Sequence, residues 1–344
     1  MNGARTPLLR VEDLRVHYPI RAGLLQRTVG QVRAVDGITL SIFPGETLGL
    51  VGESGCGKTT FGQAIVRAIE PTTGKILFSN ANGQATDLAH LRQSELRRFR
   101  SEIRMIFQDP FASLNPRRRV IDLIGESLRN FRPLSEGEVE QIVADLLRKV
   151  GLRPEYLTRY PYAFSGGERQ RIGIARALAV GPKLVVADEC VTALDVSVQA
   201  QTLNLLQDLQ EEFSLTYLFI SHDLSVVEYI ADRVAVMYAG RVVELAATEE
   251  IFARPRHPYT AALLEAVPRP DPKLARSAKR IRLKGEVADP ANRPSGCAFH
   301  TRCPYAAEIC RNVDPMPQLL AGHEVACHFA DQLELKGVSA DAAV

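Results

Sequence analysis

Apolar and amphipathic stretches alternate along most of the chain, and each apolar stretch is short. After residue 44, the runs that predict β-strands are 45–51, 75–78, 103–108, 184–188 and 216–221. The helical patterns cover 58–69, 88–100, 138–150, 168–180 and 196–213. Because strands alternate with helices of this length, the pattern predicts an α/β fold with a doubly wound, parallel core sheet.

Three regions depart from this alternation. Residues 8–51 hold several short β patterns, which predict a β-rich N-terminal subdomain. Residues 109–165 hold helical stretches punctuated by prolines, which predict an α-helical insert. Proline-rich stretches at 254–258 and 268–272 close the core, so we expect a main domain over 1–255 and a C-terminal extension over 256–344.

The composition narrows the class of protein without identifying it. Of the 344 residues 46% are hydrophobic, and 42 basic against 40 acidic residues give a formal net charge of +2. This balance gives no argument for nucleic acid or anionic lipid as a partner. No apolar run approaches the roughly 18–20 residues that span a bilayer, and residues 1–5 lead into polar sequence without a signal-peptide pattern. We therefore expect a cytosolic protein that reaches a membrane only through partners.

The segment after the strand 45–51 carries the first recognisable chemistry. It satisfies G-x-x-x-x-G-K-[ST] at every position, and the backbone N–H groups of such a P-loop close around phosphate oxygens. Lys58 is expected to reach the β- and γ-phosphates, and Thr59 to ligate Mg²⁺. The other predicted nucleotide contacts here are Gly52, Ser54, Gly55, Cys56, Gly57 and Thr60. A chance glycine-rich turn is the alternative, which the preceding strand and following helix disfavour.

Two carboxylates stand at the end of the strand 184–188. Asp188 closes this apolar run, where a carboxylate typically holds the Mg²⁺ shell of a P-loop enzyme. Glu189 follows at once and is placed to orient or deprotonate an attacking water. A polar strand end without chemistry is the alternative, and the complete P-loop upstream favours the catalytic interpretation.

A serine followed by two glycines opens the basic helix 168–180. Ser165 predicts a helix N-cap, and Gly166 and Gly167 leave the backbone free to approach an anion. From these residues alone, an ordinary capped helix remains the alternative.

The chain resembles the ATP-binding-cassette (ABC) family in three motifs taken together. These are the P-loop, the Ser165-Gly166-Gly167 segment with its helix 169–178, and the Asp188–Glu189 strand end. The resemblance implies a P-loop ABC-type nucleotide-binding domain that works as a pair around two ATP molecules. The serine and the two glycines would then contact the γ-phosphate of the ATP that is held by the opposite subunit.

The same resemblance implies roles for four further positions. Gln108 is similar to the Q-loop glutamine that senses Mg²⁺ and the γ-phosphate, and Asp195 belongs to a D-loop-like segment. His222 is similar to the switch histidine that contacts the γ-phosphate. Tyr18 stands where the family stacks an aromatic ring on adenine, with a tyrosine packed in the core as the alternative.

Four longer segments, 108–116, 194–201, 257–264 and 294–300, narrow the resemblance to the dipeptide/oligopeptide importers. It implies the second ATPase subunit of a dipeptide-type importer, peripheral at the cytoplasmic face of the inner membrane. The implied partners are a second, different ABC ATPase subunit, two transmembrane permease subunits and an extracytoplasmic solute-binding protein. The permeases' coupling helices would dock around residues 109–120.

Some features depart from the family or leave alternatives open. Glu168 stands where glutamine is usual, Cys190 where proline is usual and Thr192 where serine is common, yet none removes a phosphate, Mg²⁺ or water contact. The solute could instead be a nickel chelate or glutathione. An ABC ATPase acting on nucleic acid or ribosomes is disfavoured because tandem cassettes and long coiled-coil insertions are missing, whereas a redox-regulated soluble ABC ATPase stays open.

Four cysteines cluster near the C-terminus. The spacing is Cys297-x5-Cys303-x6-Cys310-x16-Cys327, which lacks the close C-x2–4-C pairs that zinc usually prefers. We expect a [4Fe–4S] cluster, which similar tails in the importer branch are associated with. A Zn²⁺ site is the first alternative, in which His300, His323 or His328 would join the cysteines. Reduced, unliganded cysteines are the second.

Overall fold

The computed structural model describes residues 5–23, 26–80, 83–109, 113–266 and 288–338. By its contacts the chain divides into two compact units that interleave along the sequence. Unit 1 contains the described residues of Met1–Leu8, Ile42–Thr47 and His90–Ile220, and unit 2 those of Leu9–Ser41, Leu48–Ala89 and Ser221–Val344. These units are defined by contacts and not by stretches of sequence, so the domain boundary at residue 255 stays a prediction.

The elements follow in chain order. The strands are β1 (Leu9–Ala22), β2 (Arg27–Ile42), β3 (Thr47–Val51), β4 (Thr73–Ser79), β5 (Ala85–Asp87), β6 (Ile103–Ile106), β7 (Leu184–Asp188), β8 (Thr216–Ile220), β9 (Arg233–Tyr238), β10 (Arg241–Ala247), β11 (Gln318–Leu320) and β12 (His323–Val325). The helices are α1 (Lys58–Ile65), α2 (Gln93–Leu96), α3 (Val120–Phe131), α4 (Glu136–Lys149), α5 (Gly166–Leu178), α6 (Val196–Phe213), α7 (Leu224–Ile230), α8 (Thr248–Ala253), α9 (Pro258–Ala266) and α10 (Glu308–Asn312). Two 3₁₀ turns lie at Pro154–Thr158 and Pro161–Ala163.

Unit 1 is built on the parallel strands β6, β7 and β8, in that order. Every residue of β7 and β8 is buried, which is the pattern of parallel strands covered on both faces. Helix α6 buries Leu203, Leu206 and Leu209, one stripe of an amphipathic helix. Helices α3 and α4 form the predicted α-helical insert between β6 and β7.

Unit 2 combines an antiparallel sheet of order β2-β1-β4-β5 with a second row of strands. In that row β3 pairs parallel with β9, β9 pairs antiparallel with β10, and β12 joins β10 and β11. The β9–β10 hairpin turns through Ala239 and Gly240, and both take positive φ as a tight two-residue hairpin turn requires.

The α/β class with its β-rich N-terminal part and helical insert is confirmed, and several details differ. The short β patterns over 8–51 are two long strands, β1 and β2, followed by β3. The helix predicted over 58–69 ends at Ile65, because Arg67 takes a positive φ of 55°. Of the helical pattern 88–100 only α2 is an α-helix. Among the described residues, no helix combines the length and the apolar character needed to cross a bilayer.

The C-terminal extension is more closely joined to its unit than an appended tail. Strands β11 and β12 continue the row that contains β9 and β10, so the last strands of unit 2 complete a sheet begun near residue 48. The proline-rich segment 268–272 lies outside the described residues, as do residues 110–112 of the predicted docking segment.

Candidate nucleotide site and cysteine site

The P-loop of unit 2 runs from the end of β3 to the start of α1 and passes close to backbone from two other strands. A Cβ at Gly57, whose φ is 105°, would lie 2.0 Å from the carbonyl oxygen of Ala34 on β2. A Cβ at Gly52 would lie 2.2 Å from the carbonyl oxygen of Met237 on β9. Glycine is therefore required at both positions by the approach of the backbone.

The Lys58 ammonium lies within the curve of this loop. Its side chain is 4% exposed, and Nζ donates hydrogen bonds to the carbonyl oxygens of Gly52 at 2.8 Å and Glu53 at 3.1 Å. Ser54 and Gly55 are exposed at the loop's tip, whereas Thr59 and Thr60 are half-buried. Cys56 is buried, and burial raises the pKa of its thiol.

The P-loop also contacts two side chains that the sequence had not linked to the nucleotide site. The Tyr259 hydroxyl accepts a hydrogen bond from the backbone N–H of Glu53 at 2.9 Å. The Arg302 guanidinium donates to both carboxylate oxygens of Glu53, at 2.6 and 2.9 Å. Tyr259 and Arg302 fall within or beside the segments that resemble peptide importers, but their spacing from the P-loop gave no signal of contact.

The catalytic candidates of unit 1 lie at the ends of its parallel strands. Asp188 is buried at the end of β7, and Glu189 follows with a positive φ of 43°. A left-handed backbone at a non-glycine residue is strained and often marks a functional position. The Glu189 N–H donates to Ile220 O at 2.9 Å, and the Thr192 hydroxyl donates to Glu189 O at 2.9 Å, so this backbone is held at both ends.

The structure brings Gln108 and Glu189 together. The Gln108 amide Nε2 donates to Glu189 Oε2 at 2.9 Å, across 81 positions of sequence. Because β6 and β7 are parallel neighbours, the residues that follow their carboxyl ends meet at one edge of the sheet. The two side chains were proposed separately from sequence, and parallel pairing accounts for their proximity.

Ser165 caps α5 within a capping box. Its hydroxyl accepts from the Glu168 N–H at 3.3 Å, and the Glu168 carboxylate accepts from both the N–H and the hydroxyl of Ser165. Gly166 faces open space, whereas a Cβ at Gly167 would lie 2.6 Å from a methyl group of Val198. The N-terminus of α5 is thus open on one side and packed on the other.

Three further predicted residues occupy different settings. Asp195 caps α6, where its carboxylate accepts from the Val198 N–H at 3.2 Å. His222 is exposed and follows β8. Tyr18 on β1 is 39% exposed, which argues against the alternative that it packs in the core. Tyr18 and His222 belong to unit 2 with the P-loop, while Asp195 belongs to unit 1.

The four C-terminal cysteines line one small cavity of unit 2, together with the rings of Phe299, His300 and His328. Gly296, with a φ of 66°, brings Cys297 against Cys310: the Cys297 N–H donates to Cys310 O at 2.9 Å. Burial raises the pKa of the Cys303 thiol to about 12 and of the Cys327 thiol to about 11, and the neighbouring cysteines add to both shifts. In the described part of the chain, no three His, Cys, Asp or Glu side chains are close enough to hold a single metal ion.

The three histidines considered as zinc ligands have other partners. His323 lies buried beside Glu244, with its Nδ1 2.8 Å from a carboxylate oxygen. His300 and His328 border the cysteine cavity, yet a ring nitrogen of each lies 2.9 Å from a backbone carbonyl oxygen, of Cys297 and Val313 respectively. Among the described residues these histidines form no group with the cysteines that could hold a metal ion, so the mixed Cys/His site has no support.

Comparison with known proteins places these features in one family. The family model for the ABC transporter matches residues 35–192, and the model for the C-terminal region of oligopeptide/dipeptide transporters matches residues 243–310. The oligopeptide transport ATP-binding protein AppF of Bacillus subtilis is 52% identical over 324 residues, which cover 94% of this chain and 97% of AppF. The chain belongs to the ATP-binding proteins of the oligopeptide/dipeptide ABC transporters.

Other similarities agree with this ABC assignment. A probable peptide ABC transporter ATP-binding protein of Sinorhizobium fredii, y4tS, is 53% identical over 93% of this chain and 89% of its own length. The solved dimer of the ATP-binding cassette MJ0796, bound to ADP and Pi after hydrolysis, is 25% identical. It superposes with a TM-score of 0.61 over 70% of this ABC protein and 98% of the cassette. The family and the fold class predicted from the sequence are confirmed.

Proposed function

We propose that this chain is the ATP-hydrolysing subunit of an importer that takes up di- and oligopeptides through separate transmembrane subunits. The observation that carries the proposal is the 52% identity to AppF over more than nine-tenths of both chains. A complete P-loop and the Gln108–Glu189 contact support hydrolysis as the activity.

The motif residues have the following proposed roles, each unit taken by itself. In unit 2, Lys58 and the loop N–H groups bind the phosphates, Tyr18 stacks on adenine, and His222 contacts the γ-phosphate. In unit 1, Glu189 takes a proton from the attacking water while Gln108 orients its carboxylate. Thr59, Asp188 and Gln108 would hold Mg²⁺, which neutralises phosphate charge when bound.

The partners are proposed from the same family. A second, different ABC ATPase subunit would pair with this chain. Ser165, Gly166 and Gly167 would contact the γ-phosphate of the ATP on that subunit. Asp195 would lie at the interface between the two subunits. Two transmembrane permease subunits and an extracytoplasmic solute-binding protein complete the assembly. The chain would then work peripherally at the cytoplasmic face of the inner membrane.

Isolation of the native complex tests this proposal. We expect the affinity-tagged full chain to co-purify from detergent-solubilised membranes with a second ATPase and two permeases. ATPase activity of the reconstituted complex should rise when its solute-binding protein is loaded with di- or oligopeptides. If only a nickel chelate or glutathione stimulates the ATPase activity, that solute replaces peptides as the assigned substrate. Recovery of the chain without permeases would contradict the transport role.

We further propose that the four cysteines hold a [4Fe–4S] cluster. A tetrahedral Zn²⁺ site, with Zn–S bonds of about 2.3 Å, needs sulfurs roughly 3.8 Å apart. The four cysteines border one cavity, and their spacing in the sequence lacks the close C-x2–4-C pairs of such zinc sites, which together support the larger iron–sulfur cube as the proposal. The cluster would tie together a C-terminal segment too small to bury a core of its own.

Metal analysis of anaerobically purified protein tests the cluster. We expect about four iron and four sulfide per chain with the visible absorbance of an iron–sulfur protein. Cys303→Ser should lose the iron, whereas Cys56→Ser, which alters a buried cysteine of the P-loop, should keep it. A colourless protein that contains zinc would refute the cluster, and a metal-free, stably folded protein would favour unliganded cysteines.

A further inference from the structure

The ion pair between Arg302 and Glu53 joins the cysteine-bearing segment to the P-loop. Both guanidinium NH groups bond the carboxylate, which is the bidentate geometry that gives such pairs strength and direction. The Arg302 side chain is 5% exposed and that of Glu53 is 26% exposed, so solvent screens this pair less than a surface pair. The two residues are 249 positions apart in the sequence.

A second contact reaches the same P-loop residue from the same region. The Tyr259 hydroxyl accepts from the Glu53 N–H, and the Tyr259 ring packs against Phe299 with centroids 5.4 Å apart. The Phe299 carbonyl oxygen accepts from the N–H groups of both Arg302 and Cys303 at 3.0 Å. Glu53 is therefore fixed through its side chain and its backbone by one connected group of residues.

The charge of Glu53 gives this arrangement a consequence for nucleotide binding. A carboxylate in a loop that receives a polyphosphate opposes binding, because like charges repel across a partly desolvated site. The Arg302 guanidinium, which bonds both carboxylate oxygens, compensates that charge and holds the carboxylate in one orientation. The Glu53 carbonyl oxygen is one of the two that accept from the Lys58 ammonium, so the backbone position of Glu53 also affects the phosphate-binding lysine.

We propose that Arg302 is a positioning residue for ATP binding, which acts by neutralising and fixing Glu53 of the P-loop. The inference rests on the proposed ATPase function. It makes the C-terminal segment between Cys297 and Cys303 part of the nucleotide-binding apparatus. Arg302 itself contacts neither the phosphates nor the water in this proposal.

A suppressor test separates this role from a general contribution to folding. In the assembled complex, Arg302→Gln should raise the KM for ATP about ten-fold, equivalent to about 1.4 kcal/mol, with a much smaller change in kcat. Arg302→Lys should recover part of the loss, because lysine keeps the charge without the bidentate geometry. The double variant Glu53→Gln/Arg302→Gln should return to within about three-fold of the wild-type KM, since the uncompensated carboxylate is gone.

Arg293→Gln is the matched control. Arg293 precedes the cysteine-bearing segment in the sequence, and it pairs with the buried Asp36 and the partly exposed Asp314. We expect it to lower the thermal stability and to leave the KM for ATP unchanged. A double variant as weak in ATP binding as Arg302→Gln alone, or an unchanged KM in Arg302→Gln, would overturn the proposal. A wild-type complex that fails to hydrolyse ATP would instead contradict the proposed function.

Discussion

Unit 1 and unit 2 fix their predicted functional residues in different ways. In unit 1 the residues that matter are fixed largely by near neighbours: Ser165 by its own helix turn, and the Glu189 backbone by Thr192 three positions on. In unit 2 the P-loop is fixed by the side chains of Tyr259 and Arg302, which lie 206 and 249 positions away from Glu53. Glu189 also has two longer-range contacts in unit 1, since its carboxylate accepts from Gln108 and its N–H donates to the Ile220 carbonyl oxygen.

Because of this difference, we expect substitutions that affect catalysis and substitutions that affect ATP binding to have distinct consequences. Replacing the Glu189 carboxylate leaves the contacts of the Glu189 backbone in place, so the loss should appear in turnover. A loop held from a distance couples nucleotide binding to the folding of its whole unit. Substitution of Glu189 should therefore lower kcat, whereas substitution of the side chains that hold the P-loop should lower stability and raise the KM for ATP.

The largest effect is expected for Glu189→Gln in unit 1. Removal of a general base should lower kcat by about 10²- to 10⁴-fold, while ATP binding and the melting temperature stay close to wild type. Steady-state ATPase assays of the complex, with nucleotide binding measured separately, give the comparison. Glu102→Gln, which changes a carboxylate paired with Lys183 in the same unit, should keep full activity. Equal losses in both variants would contradict the assignment of Glu189.

Asp36→Asn probes the long-range contacts of unit 2. Asp36 on β2 bonds His17, Arg241 and Arg293, and we expect the change to cost about 1–3 kcal/mol of unfolding free energy at pH 7. Burial alone would raise the pKa of Asp36, but the hydrogen bonds and charges of its partners lower the pKa overall. Asp13→Asn, at an exposed pair with Arg15, should change stability much less.

The pH dependence gives Asp36→Asn its sharpest outcome. Because the pKa of Asp36 is lower in the folded chain, its charge stabilises the fold fully above the unfolded value of about 3.9. That contribution disappears as the pH falls through the folded pKa. Chemical unfolding at a series of pH values should thus show the wild type and the variant converging only in acid. A difference that is independent of pH would mean that the charge of Asp36 does not contribute.

A pair of buried tyrosines compares the units directly. Tyr259→Phe removes the acceptor of the Glu53 N–H, and Tyr217→Phe removes a hydroxyl that donates to Leu206 O in unit 1. Each should lower the free energy of unfolding by about 1–2 kcal/mol. Only Tyr259→Phe should also raise the KM for ATP. A similar KM change in both variants would mean that lost stability, and not the P-loop contact, limits ATP binding.

Local features were predictable from the sequence, and distant contacts were not. The P-loop, the Asp188–Glu189 strand end and the helix over 196–213 depend on periodicity and motif spacing within a few turns of chain. Strands β1 and β2 were predicted too short because polar positions dominate their solvent-exposed parts. The pairing of Glu53 with Arg302 had no local signal, since either residue alone matches an ordinary surface charge until the fold brings them together.

The smallest effect is expected for Glu168→Gln, which restores the residue usual in the family. Glutamine can still accept from Ser165 and keep the capping box, but the negative charge at the start of α5 is removed. If this end of the helix contacts a γ-phosphate, the ATP concentration that half-saturates the complex should fall by about two- to three-fold. Glu138→Gln changes the identical box at Ser135 of α4 and should leave ATP dependence unaltered. Because both substitutions remove a favourable charge at a helix N-terminus, both should lower thermal stability slightly. If the ATP dependence shifts equally in the two variants, Glu168 affects activity through its helix cap. The result would then give no support for placing Ser165 at the γ-phosphate.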